Sequence, residues 1–150
     1  MNVSQLISEI KSKESYLCVG LDTDITKLPD GVPKNTSGIL EFNREIINAT
    51  KDYAVAYKMN TAFYEQLGSE GWKVLEKTRE MLPSNVLSIA DAKRGDIGNT
   101  STMYAKAFFE TMDFDAITVA PYMGLDSVEP FLKFDKKITI VLGLTSNQGS

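Results

Sequence analysis

Asp91 and Lys93 stand two residues apart at the end of the apolar run Val86-Leu87-Ser88-Ile89-Ala90, and Asp96 follows three residues later. Side chains alternate along a strand, so Asp91 and Lys93 are expected on one side, an acid and an ammonium together at the mouth of an apolar layer. Asp96 lies past the strand beside the start of the next helix, facing elsewhere, where a carboxylate is favoured by the helix N-terminus. A purely structural account is also open: a salt bridge closing a strand end, with Asp96 as a helix cap. The tripeptide Arg94-Gly95-Asp96 matches an adhesion motif, which in a chain of cytosolic character is coincidence. The chain has no histidine, which excludes Ser-His-Asp and Cys-His nucleophiles and His-ligated metal sites.

These residues need elements to hold them, and the chain alternates short apolar runs with helical stripes. Val3, Leu6, Ile7 and Ile10 have helical spacing behind a possible Asn2 cap. Tyr16–Leu21 reads as a buried strand ending at Asp22, with Cys18 as a small core residue. Asp30-Gly31-Val32-Pro33 signals a turn, and Ile39, Phe42, Ile46 and Ile47 stripe a helix that Ser37 could cap. Tyr53–Tyr57 is a second strand ending at Lys58, followed by a helix carrying Trp72, Leu75, Arg79 and Leu82 and stopped by Pro83. The third strand runs from Val86 into Asp91, and Met103, Ala107 and Phe108 stripe the helix after it. Ala116–Val119 is a fourth strand, a helix covers Leu125–Leu132, and Ile138–Leu142 is a fifth buried strand leading to Ser146. The tryptophan, tyrosines and phenylalanines fall mostly on these stripes and are expected in the core.

Five strands separated by helices imply right-handed βαβ units and a parallel sheet in an α/β fold. Ligands of such folds bind at the carboxyl ends of the strands, where Asp22, Lys58, Asp91, Lys93 and Ser146 fall. The 150 residues fit one domain, 43% hydrophobic and 24% charged, which sets aside disordered, collagen-like and coiled-coil readings. A net charge of -4 argues against a nucleic-acid surface. The single cysteine allows no internal disulfide, and neither a signal peptide nor a run of about 18 apolar residues is found, so no membrane contact and a cytoplasmic location are expected.

The signature Asp91-x-Lys93-x-x-Asp96-Ile97, followed by Gly98-Asn99-Thr100, resembles that of orotidine 5′-phosphate decarboxylases. Val19-Gly20-Leu21-Asp22 resembles that family's first strand, Tyr57-Lys58-Met59-Asn60 its second, and Thr145–Ser150 the loop after its fifth, with Gln148 where proline is usual. The wording Lys-Arg-Gly-Asp-Ile is similar to the longer bacterial subgroup. The resemblance implies a TIM (β/α)8 barrel with about five of eight units present, residues 1–150 forming a single partial barrel domain. It implies cofactor-free, metal-free decarboxylation of orotidine 5′-phosphate to UMP by a homodimer with a shared active site. Lys93 would donate the proton, Asp91 would hold it, and Lys58 would pair with Asp91. Asp96 would enter from the partner subunit with Ile97 and Thr100 beside it. Asp22 would bind the ribose, and Asn60 and Ser146 would complete the substrate contacts.

A whole barrel takes about 250 residues, so the chain is expected to be the N-terminal part of a longer enzyme whose phosphate-binding residues lie beyond it. Two alternatives stand beside this reading. One is a metal-dependent phosphosugar decarboxylase or synthase of the same barrel group. The other is an inactive half-barrel that only associates.

Overall fold

The computed structural model describes residues 1–149. Helix α1, Val3–Lys13, starts at Asn2, whose side chain accepts from the Gln5 N–H while the Gln5 side chain accepts from the Asn2 N–H, a capping box that satisfies two otherwise orphaned donors. Strands β1 (Leu17–Gly20), β2 (Ala54–Asn60), β3 (Leu87–Arg94), β4 (Ala116–Val119) and β5 (Ile138–Val141) form one parallel sheet in sequence order. The connections carry α2 (Thr36–Thr50), the short α3 (Ala62–Glu65), α4 (Gly68–Glu80), α5 (Gly98–Lys106) with a π-helical turn at Ala107–Thr111, and α6 (Leu125–Leu132).

Alternation divides the sheet into two faces. On the outer face Tyr57, Met59, Ala90, Ala92, Ile117 and Val119 meet Ile39, Ile47, Val74, Leu75, Phe108 and Phe109 from the helices in the main core. On the inner face Ala56, Leu87 and Ala116 are buried, and the half-buried Ile89, Ile138 and Ile140 pack against them together with Met1 and Leu6. Followed toward the carboxyl ends, this inner face changes from apolar to polar: Lys58 and Asn60 continue from Ala56, Asp91 from Ile89, and Thr118 from Ala116.

Several expectations are corrected. The outer strands are not buried: β1 and β5 each have one neighbour, Leu17 and Val141 are exposed, and Cys18 is exposed rather than in the core. An apolar run cannot distinguish an edge strand from a central one, because that depends on which strands pair. The α2 cap is Asn35, whose side chain accepts from Gly38 N–H; Ser37 instead donates its hydroxyl to Asn35. On α5 the buried positions are Ser101 and Ala105, while Met103 is exposed. Tyr16, Tyr53 and Tyr122 also face solvent, since each lies just outside an element rather than within its apolar stripe.

Candidate active site

The carboxyl ends of β1, β2, β3 and β4 bring Asp22, Lys58, Asp91, Lys93 and Thr118 together on the inner face. Lys58 Nζ lies 3.1 Å from one Asp22 carboxylate oxygen and 3.4 Å from the other, and also 3.4 Å from Asp91 Oδ2. Lys93 Nζ donates to Asp91 Oδ1 at 2.7 Å, and the Thr118 hydroxyl donates to the same oxygen at 3.0 Å. The result is a row of alternating charge, Asp22–Lys58–Asp91–Lys93, with Asp91 the most enclosed at 12% side-chain exposure and Lys93 the most open at 47%.

Backbone bonds fix the spacing of the row. Leu21 N–H donates to the Lys58 carbonyl at 2.8 Å, and Asn60 N–H donates to Asp22 Oδ1 at 2.8 Å. The end of β1 is therefore tied to the end of β2 beside the side chains that meet.

Lys93 reaches Asp91 by a less regular route than strand alternation suggests. Ala90 pairs with Ile117 and Arg94 with Val119, so β3 carries extra residues opposite β4. Lys93 sits in this bulge with φ 49°, a left-handed conformation that a long side chain adopts only when its surroundings hold it there. Its N–H donates to Thr118 Oγ1 at 2.9 Å. Bulges bend a strand and re-aim a side chain; here the re-aimed group is an ammonium. Gly95 then lets β3 pass close to β4, because a Cβ at that position would lie 2.5 Å from the Ala120 carbonyl oxygen. Arg94 turns to the outer side, bonding Glu65 and the Ala92 carbonyl and lying over the Tyr104 and Phe108 rings.

The charges answer to these contacts. Burial pushes the Asp91 carboxyl up, but hydrogen bonds from Lys93 and Thr118 and the charges of Lys93 and Lys58 outweigh it and hold the carboxyl below its ordinary range. Burial lowers Lys58, while Asp22 and then Asp91 raise it more, so its ammonium is held above the usual lysine value. At neutral pH Asp91 and Lys58 are therefore both ionised.

Not every candidate residue joins it. Asp96 stands between β3 and α5; its carboxylate accepts from Ile97 N–H at 2.7 Å, its own N–H donates to Ser101, and it makes no side-chain cap of α5. Ile97 is exposed, as is Thr100 on the first turn of α5. Asn60 ends β2, and its side-chain oxygen accepts from Ala62 N–H at 3.1 Å. Ser146 is exposed in the loop after β5. Ser150, the last residue of that loop segment, lies outside the described residues. Thr118 was absent from the sequence reading, although its place as the polar inner-facing residue of an otherwise apolar β4 marks it. Among the described residues no three His, Cys, Asp or Glu side chains converge as a metal site, and no helix is long and apolar enough to cross a membrane.

Comparison with known proteins gives a consistent set of likenesses. The family model described as Orotidine 5'-phosphate decarboxylase / HUMPS family matches residues 15–150. Orotidine 5'-phosphate decarboxylases of Christiangramia forsetii and of Bacteroides fragilis strain YCH46 are 58% and 56% identical to it over its whole length. The chain spans 56% of the length of each of these curated relatives. Among solved structures, the OMP decarboxylase of Leishmania donovani superposes with a TM-score of 0.87 at 41% identity, covering 100% of this chain and 56% of that one. The UMP synthase of the same organism gives 0.88 at 40%, covering 99% of this chain and 32% of that one. The five-stranded sheet with its helices is thus a part of a (β/α)8 barrel, as expected.

Proposed function

The chain belongs to the orotidine 5'-phosphate decarboxylase / HUMPS family, and on that footing we propose that its charged row serves the decarboxylation of orotidine 5′-phosphate to UMP. The observation that carries this is the Lys93 ammonium, held 2.7 Å from Asp91 at the open end of the row.

In the proposed reaction the bond between the ring carbon and the carboxylate breaks, and carbon dioxide leaves. The electron pair stays on an sp² carbon in the plane of the pyrimidine, out of conjugation with the ring. An ammonium fixed beside that carbon stabilises the developing charge without reorganising, then gives up a proton to form the C–H bond. Lys93 regains the proton from water. Asp91 keeps Lys93 aimed through the hydrogen bond between them. No cofactor takes part in this scheme.

Asp22 and Lys58 would meet the ribose hydroxyls, with Asn60 beside them, and Ser146 would meet a ring carbonyl. Asp96, Ile97 and Thr100 are assigned to the site of a second copy in a homodimer. That assignment is supported by the exposure of Ile97 and Thr100 and by the Asp96 carboxylate, which accepts from Ile97 N–H instead of joining its own chain's row. The same reading carries a cytoplasmic location, in keeping with a single cysteine that can form no internal disulfide.

Lys93→Ala tests the mechanism. Lys93 is assigned both the proton transfer, a contribution of about 10²–10⁴-fold, and the stabilisation of the developing charge, about 10²–10³-fold, so the turnover of orotidine 5′-phosphate should fall more than about a thousandfold in a protein that still folds. A variant turning over at the parent rate would end the proposal. Lys93→Ala mixed with Asp96→Asn should regain activity in mixed dimers; no recovery after proven subunit exchange would remove the shared site.

A further inference from the structure

Beneath the charged row, on the outer side of the sheet, lies a second polar system that the proposed chemistry does not use. Asn43 of α2 is fully buried. Its side-chain oxygen accepts from the Thr23 hydroxyl at 2.5 Å, and its amide nitrogen donates to Tyr64 Oη at 3.2 Å and Thr78 Oγ1 at 3.1 Å. The Tyr64 hydroxyl in turn donates to the Leu21 carbonyl at 2.6 Å. Tyr64 and Thr78 are buried on α3 and α4.

The direction of every bond follows from these partners. Tyr64 has one hydroxyl hydrogen and gives it to Leu21, so it can only accept from Asn43. The amide must therefore present its nitrogen to Tyr64 and Thr78 and its oxygen to Thr23. Both amide hydrogens are used and the oxygen is satisfied, which is the condition under which a buried polar network rigidifies its surroundings instead of weakening them.

The ends of the network are informative. It holds the carbonyl of Leu21 and the side chain of Thr23, the two chain neighbours of Asp22. Asp22 itself points the other way, to Lys58 and to Asn60 N–H. Side chains of three helices thus hold the Leu21 carbonyl and the Thr23 hydroxyl on either side of one carboxylate.

We propose that Asn43, Tyr64 and Thr78 are positioning residues for Asp22 and so set how strongly the site recognises ribose hydroxyls. The inference rests on the ribose role given to Asp22 above. It assigns the selectivity of the site between ribose and deoxyribose nucleotides to side chains that touch neither.

The test uses the intact gene product and the affinities of UMP, 2′-deoxyUMP and 3′-deoxyUMP measured by calorimetry. The parent should prefer UMP over at least one deoxy analogue, and Asp22→Asn should abolish that preference. Tyr64→Phe and Thr23→Val should each shrink it by about fivefold, as expected for losing about one net hydrogen bond, while affinity for the deoxy analogue stays within about twofold. Thr78→Val, further from Asp22, should act in the same direction more weakly and serves if Tyr64→Phe does not fold. If Asp22→Asn removes the preference but the network variants keep it and only lower the melting temperature, the network is packing and the inference is overturned. If Asp22→Asn leaves the preference unchanged, the ribose role of Asp22 fails first and the inference falls with it.

Discussion

Replacing Thr118 by valine keeps the shape of the side chain and removes one oxygen, which makes it a clean probe of the β3 bulge. That oxygen accepts from Lys93 N–H at 2.9 Å and donates to Asp91 Oδ1 at 3.0 Å. A hydrogen bond to a charged acceptor is worth about 1.5–3 kcal/mol, and a backbone N–H left without a partner costs about 1–3 kcal/mol. Against this, the added methyl group recovers about 0.8 kcal/mol if it is buried, and water can reach the half-exposed Lys93 side. The expected net loss is about 2–3 kcal/mol, read as a lower urea midpoint at unchanged slope. Asp91 would also lose one of the bonds that hold its carboxyl down, so the acid limb of the turnover profile should move to higher pH. Thr118→Ser keeps both bonds and should stay within about 1 kcal/mol of the parent. A valine variant within about 0.5 kcal/mol of the parent, with its acid limb unmoved, would refute the claim that this hydroxyl holds Lys93 and Asp91 in place.

Three further outcomes follow from the same geometry. Asp91 is held below its ordinary pKa, so its contribution to stability is present above about pH 4, the unfolded value, and is lost as pH falls through the lower folded value. Lys58 is held above its ordinary pKa, so its contribution is present below about pH 10.4 and is lost as pH rises through the higher folded value. Urea midpoints from acid to alkaline pH should show a shallower acid decline in Asp91→Asn than in the parent; an identical decline would contradict the assignment. Gly95→Ala places a Cβ 2.5 Å from the Ala120 oxygen and should cost about 1–3 kcal/mol by forcing β3 from β4, visible in the same unfolding assay, where a neutral result would show that the strands give way freely.

The charged residues near the strand ends were readable in the sequence because a charge closing an apolar run is an unusual local event, although the strands do not stop there: β2 runs on to Asn60 and β3 to Arg94. Asp91 after Ala90 and Lys58 after Tyr57 have that form, and the structure sets both in one row. The strand β4 and helix α6 were bounded correctly because a four-residue run, apolar but for Thr118, and the eight-residue Leu125–Leu132 stripe fall between clear turns. What the sequence could not show depends on partners distant in the chain. The edge position of β1 is decided by pairing, so Cys18 looked buried. The bulge at Lys93 is decided by the register against β4, so plain alternation reached the right neighbour through the wrong backbone. The network on Asn43 joins residues 20 and more apart, and one polar residue among the apolar positions of α2 gives little local notice of it. Asp96 shows a different limit, since a residue assigned to a second copy has nothing in its own chain to confirm it.

The inner face has a polarity gradient with an electrostatic corollary. Below the row lie Ile89, Ala116, Met1 and Leu6, an apolar floor of low dielectric constant, while above it Lys93 meets water over nearly half of its side chain. Any molecule that settles on the row displaces that water and leaves the ions between two poorly polarisable layers, where each charge acts at greater strength than under solvent. The force the cluster exerts is then coupled to what covers it: modest and salt-sensitive when water has access, strong once a flat ring or a neighbouring chain has shut the solvent out.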